Sequence, residues 1–376
     1  MKPGRGLFIG RFFGIAFYLD YSWFLIAAIV SYTLSTRFFP LILPGRTEAV
    51  YLVLGITAAA LYFFSILLHE LGHSIVSQAC GIPVPRITLL FIGGLAEISR
   101  EPDDSKSELK IAAAGPAVSA VLVAIYELLA FVLTNAHAPA ASAMFHWLAT
   151  VNLVLIVFNA IPGYPLDGGR ILRALLWART GNFRRATYVT SRIGVGFSWL
   201  MMLLGVLALF QGEWSAFVFL LIGIFLKTAA ESGYLQAVYH EVLAGVAVRD
   251  VMSPEPSRIP ATTPLNLVVE DFFLANHHVA FPVADHDGSF RGLLRLEHLK
   301  AIPRAKWPFT SAGDLVAENG AAAFSVAVEE PAEHAMRRLL RPGHGRLAVL
   351  ENGRVVGMIT RHDVLQFIKI HTELEA

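Results

Sequence analysis

Cysteine is nearly absent: the 376-residue chain has one, Cys80, so no internal disulfide can brace the fold. Charge is also scarce. Only 16% of residues are Asp, Glu, Lys or Arg, and the formal net charge is +1. A balance that close to neutral leaves no electrostatic footprint for nucleic acid. In place of charge there is apolar sequence, 55% of the chain, with a mean hydropathy of +0.57. That is too apolar for an ordinary soluble protein of this length.

The apolar residues are gathered in six runs, at about 20–36, 49–79, 108–134, 143–161, 188–210 and 214–235. Each meets the roughly 20 residues a membrane helix needs. Lys2, Arg5 and Arg11 precede the first run, but no short apolar core ending in a small-residue cleavage site follows. The first helix is therefore expected to be retained. With the N-terminus in the cytoplasm, the inner segments collect Lys2, Arg5, Arg11, Arg86, Arg100, Lys106 and Lys110. They also collect Arg170, Arg173, Arg179, Arg184, Arg185 and Lys227, while the outer segments hold only Arg37 and Arg46. This asymmetry obeys the positive-inside rule, and six spans return the C-terminus to the cytoplasm. The expected location is the plasma membrane, multi-pass.

Into the second run, FFSILLHELGHSIVSQAC (63–80), are set His69, Glu70 and His73. Residues four apart share a helix face. His69 and His73 are thus placed to bind one metal ion, with Glu70 beside them as general base for a metal-activated water. Each ionisable side chain near the bilayer centre costs roughly 2.5–3.5 kcal/mol on insertion scales, so such residues are functional by default. A catalytic zinc takes three protein ligands and keeps one open position. The missing ligand should be a carboxylate or imidazole facing this helix. NAIPGYPLDGGR (159–170) offers Asp167. Pro162 and Pro165 break helical hydrogen bonding there, and broken backbone at membrane depth survives only against protein or a wet cavity.

H-E-L-G-H in the second span with N-A-I-P-G-Y-P-L-D-G-G in the fourth resembles the site-2 protease family of intramembrane metalloproteases. The likeness covers nearly all of residues 1–235. It implies zinc on His69, His73 and Asp167, Glu70 activating water, and Asn159 holding the substrate or the oxyanion. The family's third-span glycine motif appears as AAAGPAVSA (112–120), where Gly115, Ala117 and Ser119 permit close helix contact. Between the second and third spans, RITLLFI and LAEI flank Gly93-Gly94, a membrane-associated β-hairpin signal. Its RITLLFI strand is expected to be an edge that pairs with an unwound substrate backbone. LFIGRFFGIAFYL (7–19) is expected to be either a further membrane strand or an interfacial anchor.

The composition changes near 236–247, dividing a membrane domain (1–240) from a soluble α/β domain (245–376). The second part contains a repeat, about 246–303 and 310–370, each copy reading strand, helix, strand, turn, strand, helix. It resembles a pair of cystathionine-β-synthase (CBS) domains, which implies an adenine nucleotide, regulation of the neighbouring domain and a homodimer through the pair. The family's G-h-h-T-x-x-D ribose pattern is met in the second copy by Gly357, Thr360 and Asp363. In the first, Arg295 and His298 stand at the Thr and Asp positions, so nucleotide binding is expected at Thr360 and Asp363. His277-His278 reads as a solvated helix end.

The expected whole is a polytopic α-helical membrane protein with a soluble CBS pair. Its expected activity is a zinc endopeptidase acting in or near the membrane segment of anchored regulatory proteins. A transporter or channel with CBS regulation is the alternative. Transporters usually carry repeated halves, and residues 1–235 show none. A binding scaffold of protease descent is disfavoured by the intact His69, Glu70, His73 and Asp167.

Overall fold

Apolar sequence long enough to span a bilayer must bond its backbone internally, and the helix is the one local way to do so. In the computed structural model, which describes residues 6–90, 93–97, 100–213, 216–316, 321–341 and 343–374, six helices among the described residues are that long and apolar. They are α1 (Tyr21–Ile42), α2 (Glu48–Ala79), α3 (Ser105–Asn135), α4 (Pro139–Asn159), α6 (Phe183–Phe210) and α7 (Phe217–Leu243). A shorter helix, α5 (Asp167–Thr180), falls between α4 and α6 in the chain. Side chains such as Phe131, Val157, Leu203 and Phe225 are exposed. A soluble protein would not show so much apolar surface; a lipid-facing one requires it.

Polar residues mark the helix ends. Asp104 accepts from the backbone N–H of Lys106 and Ser107, both at 2.9 Å, and starts α3. Asn182 does the same for α6 through Arg185 N–H at 2.7 Å. Gly181, at φ +69°, ends α5 in the left-handed conformation that glycine adopts without steric cost. Helices α2 and α3 approach closely where Gly72 meets α3. A Cβ on Gly72 would stand 2.8 Å from Val118 Cγ2 and 3.1 Å from the Ala114 carbonyl. Without a hydrophobic force between helices in lipid, small residues permit this packing.

The membrane region also holds a four-stranded sheet, ordered β1 (Gly6–Phe12), β2 (Ile15–Asp20), β3 (Arg86–Leu90) and β4 (Gly93–Glu97). The sequence suggests one hairpin; there are two, joined by parallel pairing of β2 with β3. LFIGRFFGIAFYL forms the first hairpin. This corrects the expectation for RITLLFI. Thr88 of β3 pairs with Tyr18 on one side and Leu95 on the other, so β3 is interior and the free edges are β1 and β4. Residues 91 and 92 of that stretch lie outside the described residues.

Contacts divide the chain into two compact units, Met1–Tyr234 and Leu235–Ala376. The second has two sheets. One is β6 (Ile259–Pro260), β7 (Ala280–Ala284) and β8 (Phe290–Arg295); the other is β5 (Ser253–Pro254), β11 (Arg354–Thr360), β10 (Arg346–Glu351) and β9 (Ser325–Ala327). Each repeat pairs its first long strand with a parallel neighbour on one side and an antiparallel one on the other. A core of Ile259, Leu265, Val268, Phe281, Val283 and Leu294 fills the first repeat.

Candidate active site

His69 and His73 share the buried face of α2, at 4% and 6% exposure. Asp167, 8% exposed, is the first residue of α5 and comes to them from the break after α4. Its position favours a carboxylate, because the helix N-terminus carries partial positive charge. The break is held by backbone contacts. Tyr164 N–H donates to the Thr190 carbonyl at 3.1 Å, and Leu166 N–H to Gly163 at 3.0 Å. A Cβ on Gly169 would meet the Gly163 carbonyl carbon at 2.2 Å, so α5 packs directly on the loop that precedes it.

The three side chains form a triangle. His69 Nε2 lies 3.2 Å from Asp167 Oδ2, His73 Nε2 3.3 Å from Asp167 Oδ1, and the two Nε2 atoms 3.2 Å apart. The outer ring nitrogens fix the sense of these contacts. His73 Nδ1 stands 2.7 Å from the Ile111 carbonyl, which only accepts, so Nδ1 carries the proton and Nε2 a lone pair. His69 Nδ1 meets Ser119 Oγ at 2.9 Å, and a hydroxyl is able to accept in the same sense. With both protons on Nδ1, three electron-rich atoms converge, and Asp167 Oδ2 is buried with no hydrogen-bond partner.

That arrangement fits a metal ion. Bonds of about 2.0–2.1 Å at tetrahedral angles separate ligand atoms by about 3.3 Å, close to the distances observed. Gly115 of α3 keeps the space open. A Cβ there would stand 2.2 Å from His73 Nε2 and 2.7 Å from His69 Nε2. His69, His73 and Asp167 are also the one such buried His/Asp group among the described residues. Glu70 follows His69 on α2 and lies under β4, where a Cβ on Gly94 would come within 2.3 Å of Glu70 Cγ. Asn159 is half-buried as the last residue of α4.

Sequence reasoning missed several of these partners. Ser119 appears there only as a small residue, yet it bonds His69. Nothing in sequence marks the Ile111 carbonyl, one residue before Ala112, whose helical donor Pro116 cannot supply. Arg173, counted from sequence only among the inner-segment charges, is 2% exposed.

In the soluble unit, Thr360 and Asp363 come together at the start of α10 (Arg361–Leu374), after α8 (Leu296–Lys300) and α9 (Ala332–Leu339). Both the backbone N–H and the hydroxyl of Thr360 donate to Asp363 Oδ2 at 2.8 Å, and Ser253 Oγ reaches Oδ1 at 3.3 Å. The pair thus caps its helix, a local task that asks for the same residue types. A cavity of about 410 Å³ opens elsewhere, between the two repeats, lined by Arg295, Glu297, Lys300 and Leu293 from the first and by Gly343 and Arg346 from the second, among others. Arg295 donates to the Gly343 carbonyl at 3.0 Å, sits 3.0 Å from His298 Nε2, and lies over the Phe324 ring at 5.0 Å. Burial, then the Arg295 charge, holds the His298 pKa below its ordinary value.

A buried His–His–carboxylate triangle with an adjacent Glu, set among membrane helices, defines an intramembrane metallohydrolase. Comparison with known proteins agrees. The model for peptidase family M50 matches residues 57–137 and 129–203, and the CBS domain model matches 248–303 and 321–370. A Mycobacterium tuberculosis protein described as "Putative zinc metalloprotease Rip3" is 33% identical over 96% of this chain and 93% of its own. A Synechocystis protein of like description, sll0528, is 36% identical over 82% of this chain and 81% of its own. The solved site-2 protease of Methanocaldococcus jannaschii covers 61% of this chain and 95% of its own, at 26% identity and a TM-score of 0.41. The chain belongs to peptidase family M50, the site-2 protease family, and is a multi-pass zinc metalloprotease carrying CBS domains.

Gly115→Ala should therefore abolish zinc binding, since its methyl group would occupy the space between the two Nε2 atoms. Ser119→Ala should leave zinc bound but weaken it about 10–100-fold, the usual effect of losing an outer hydrogen bond to a metal-binding histidine. Zinc content after dialysis against graded chelator is the measurement. Full zinc in Gly115→Ala would contradict the geometry.

Proposed function

We propose that this protein cuts a peptide bond in or near the transmembrane segment of membrane-anchored regulatory proteins. The triangle of His69, His73 and Asp167 beside Glu70, buried within the spans, carries that reading. His69, His73 and Asp167 would hold zinc, and Asn159 would hold the substrate or the oxyanion. Zinc, when bound, supplies a Lewis acid that yields hydroxide from water near neutral pH. Glu70 takes the proton of the attacking water as the new C–O bond forms, and delivers it to the amide nitrogen as C–N breaks. His73 keeps its lone pair inward through the Ile111 carbonyl, and His69 does so through Ser119.

A helical substrate hides its peptide bonds in its own ladder, so it must unwind before it is cut. The free backbone groups then need partners. The outer edge of β4 supplies them, and Gly94 on that strand touches Glu70. Pairing there would lay an extended segment alongside the general base. The charge asymmetry supports cytoplasmic termini and a plasma-membrane location.

For the CBS pair we read an adenine nucleotide that modulates cleavage. Thr360 and Asp363 would bind the ribose. Arg295, Lys300 and Arg346 would favour phosphate at the cavity between the repeats. A second copy of the chain, joined through the CBS pair, is the partner expected besides substrate and bilayer.

Glu70→Gln should retain zinc and fold but lose cleavage of a model membrane substrate by at least the 10²–10⁴-fold that general-base catalysis contributes. Near-normal turnover would remove the hydrolytic mechanism.

Successive N–H groups of a strand point to opposite sides, so one of Leu95→Pro and Ala96→Pro removes a donor from the outer edge of β4. That variant should cleave poorly with zinc retained. If both cleave normally, β4 does not receive the substrate.

Calorimetry of the full-length protein with ATP, ADP and AMP should show binding that Asp363→Ala weakens. An active-site inhibitor should shift the nucleotide affinity, because coupling is reciprocal. No binding by any of the three, or binding unaltered in the mutant, would leave the pair a structural module.

A further inference from the structure

We propose that Arg173, acting through Glu108, is a positioning residue that sets Asp167 against His69 and His73; the proposal rests on the metalloprotease reading above. Arg173 is one of the largest fully buried side chains of the chain, and Glu108 is 0% exposed. Arg173 Nε donates to Glu108 Oε1 at 2.6 Å, and Nη2 donates to the same oxygen. Nη2 also reaches Glu101 Oε2 at 3.3 Å. The guanidinium is held between two rings, with Cζ 5.2 Å from the centre of Tyr164 and 4.8 Å from that of Phe183. A planar, permanently charged fork suits such a clamp; an ammonium does not.

The places these residues occupy give the clamp its meaning. Glu108 lies in the first turn of α3. One helical turn later the Ile111 carbonyl orients His73. Arg173 is on α5, the helix that Asp167 begins. Tyr164 lies in the break that delivers Asp167, and Phe183 begins α6. One ion pair therefore ties the backbone that aims a histidine to the helix and loop that present the carboxylate. The three metal-facing atoms come from two separate chain segments. Backbone contacts and packing hold the break in place, and the Arg173–Glu108 pair adds a buried directional tie between α3 and α5.

Stability alone does not account for the pair. Removing two charges from water is costly, and apolar replacement of a buried ion pair is often neutral or stabilising. Glu108 Oε2 even remains buried without a hydrogen-bond partner. What an apolar pair would lack is the directional bond that fixes α5 along its axis.

The experiment compares full-length wild-type protein in detergent with Arg173→Lys and with the double variant Glu108→Leu/Arg173→Met. The double variant removes both fully buried charges together and leaves only the partly exposed Glu101 without its arginine, so it keeps the test valid if a single substitution disturbs folding. Zinc affinity is read by chelator competition, and kcat and KM are read on a model membrane substrate. Thermal unfolding is followed on the zinc-free forms. We expect the double variant to unfold near the wild-type temperature. It should bind zinc about 10–100-fold more weakly, as loss of supporting contacts to a metal site does. The fall in activity should appear in kcat with KM little changed, and Arg173→Lys should recover only part of it. Wild-type zinc affinity and kcat in the double variant would overturn the proposal alone. Wild-type protein that holds no zinc would overturn the metalloprotease reading and this inference with it.

Discussion

Inside a membrane domain, His69 Nε2 and His73 Nε2 stand 3.2 Å apart, and each faces one oxygen of Asp167, at 3.2 and 3.3 Å. A cation between them would satisfy all of these atoms at once, at a depth where unpaired polar groups are costly. Much of the fold serves this constraint. Gly72 lets α2 and α3 touch, and Gly115 leaves the hollow. Ser119 and the Ile111 carbonyl take the outer imidazole protons. The Pro-Gly break then brings the Asp167 carboxylate up to the two histidines.

A protease in a bilayer must also supply two things the bilayer lacks: reactive water and an unfolded substrate backbone. In the proposed mechanism Glu70 and a metal held by His69, His73 and Asp167 answer the first need. In our proposal the sheet answers the second, since a strand edge satisfies backbone groups that lipid cannot. The two needs meet at one contact, Gly94 against Glu70. There a side chain larger than hydrogen would push against Glu70, the residue we propose as general base.

The spans and the metal motif were legible in sequence because both are local. Apolar length and an i, i+4 histidine pair need no tertiary information. Asp167 was legible because its Pro-Gly surroundings make sense in lipid only beside a polar site. Strand order was not legible. RITLLFI looks like an edge until LFIGRFFGIAFYL, distant in sequence, pairs with it as a second hairpin, and no local pattern encodes that parallel partnership. Nor was Arg173 legible: in a one-dimensional charge count, a buried arginine and a cytoplasmic one look alike. Thr360 and Asp363 show the reverse hazard, since a ribose signature and a helix cap use the same residue types.

The central claim is that one zinc ion is shared by His69, His73 and Asp167. X-ray absorption at the zinc edge of the purified protein tests it most directly, with Asp167→Ala as the comparison. The account predicts one zinc per chain with two nitrogen and light oxygen scatterers at about 2.0–2.2 Å, and loss of zinc in the variant. Full zinc occupancy with an unchanged spectrum in Asp167→Ala would contradict it.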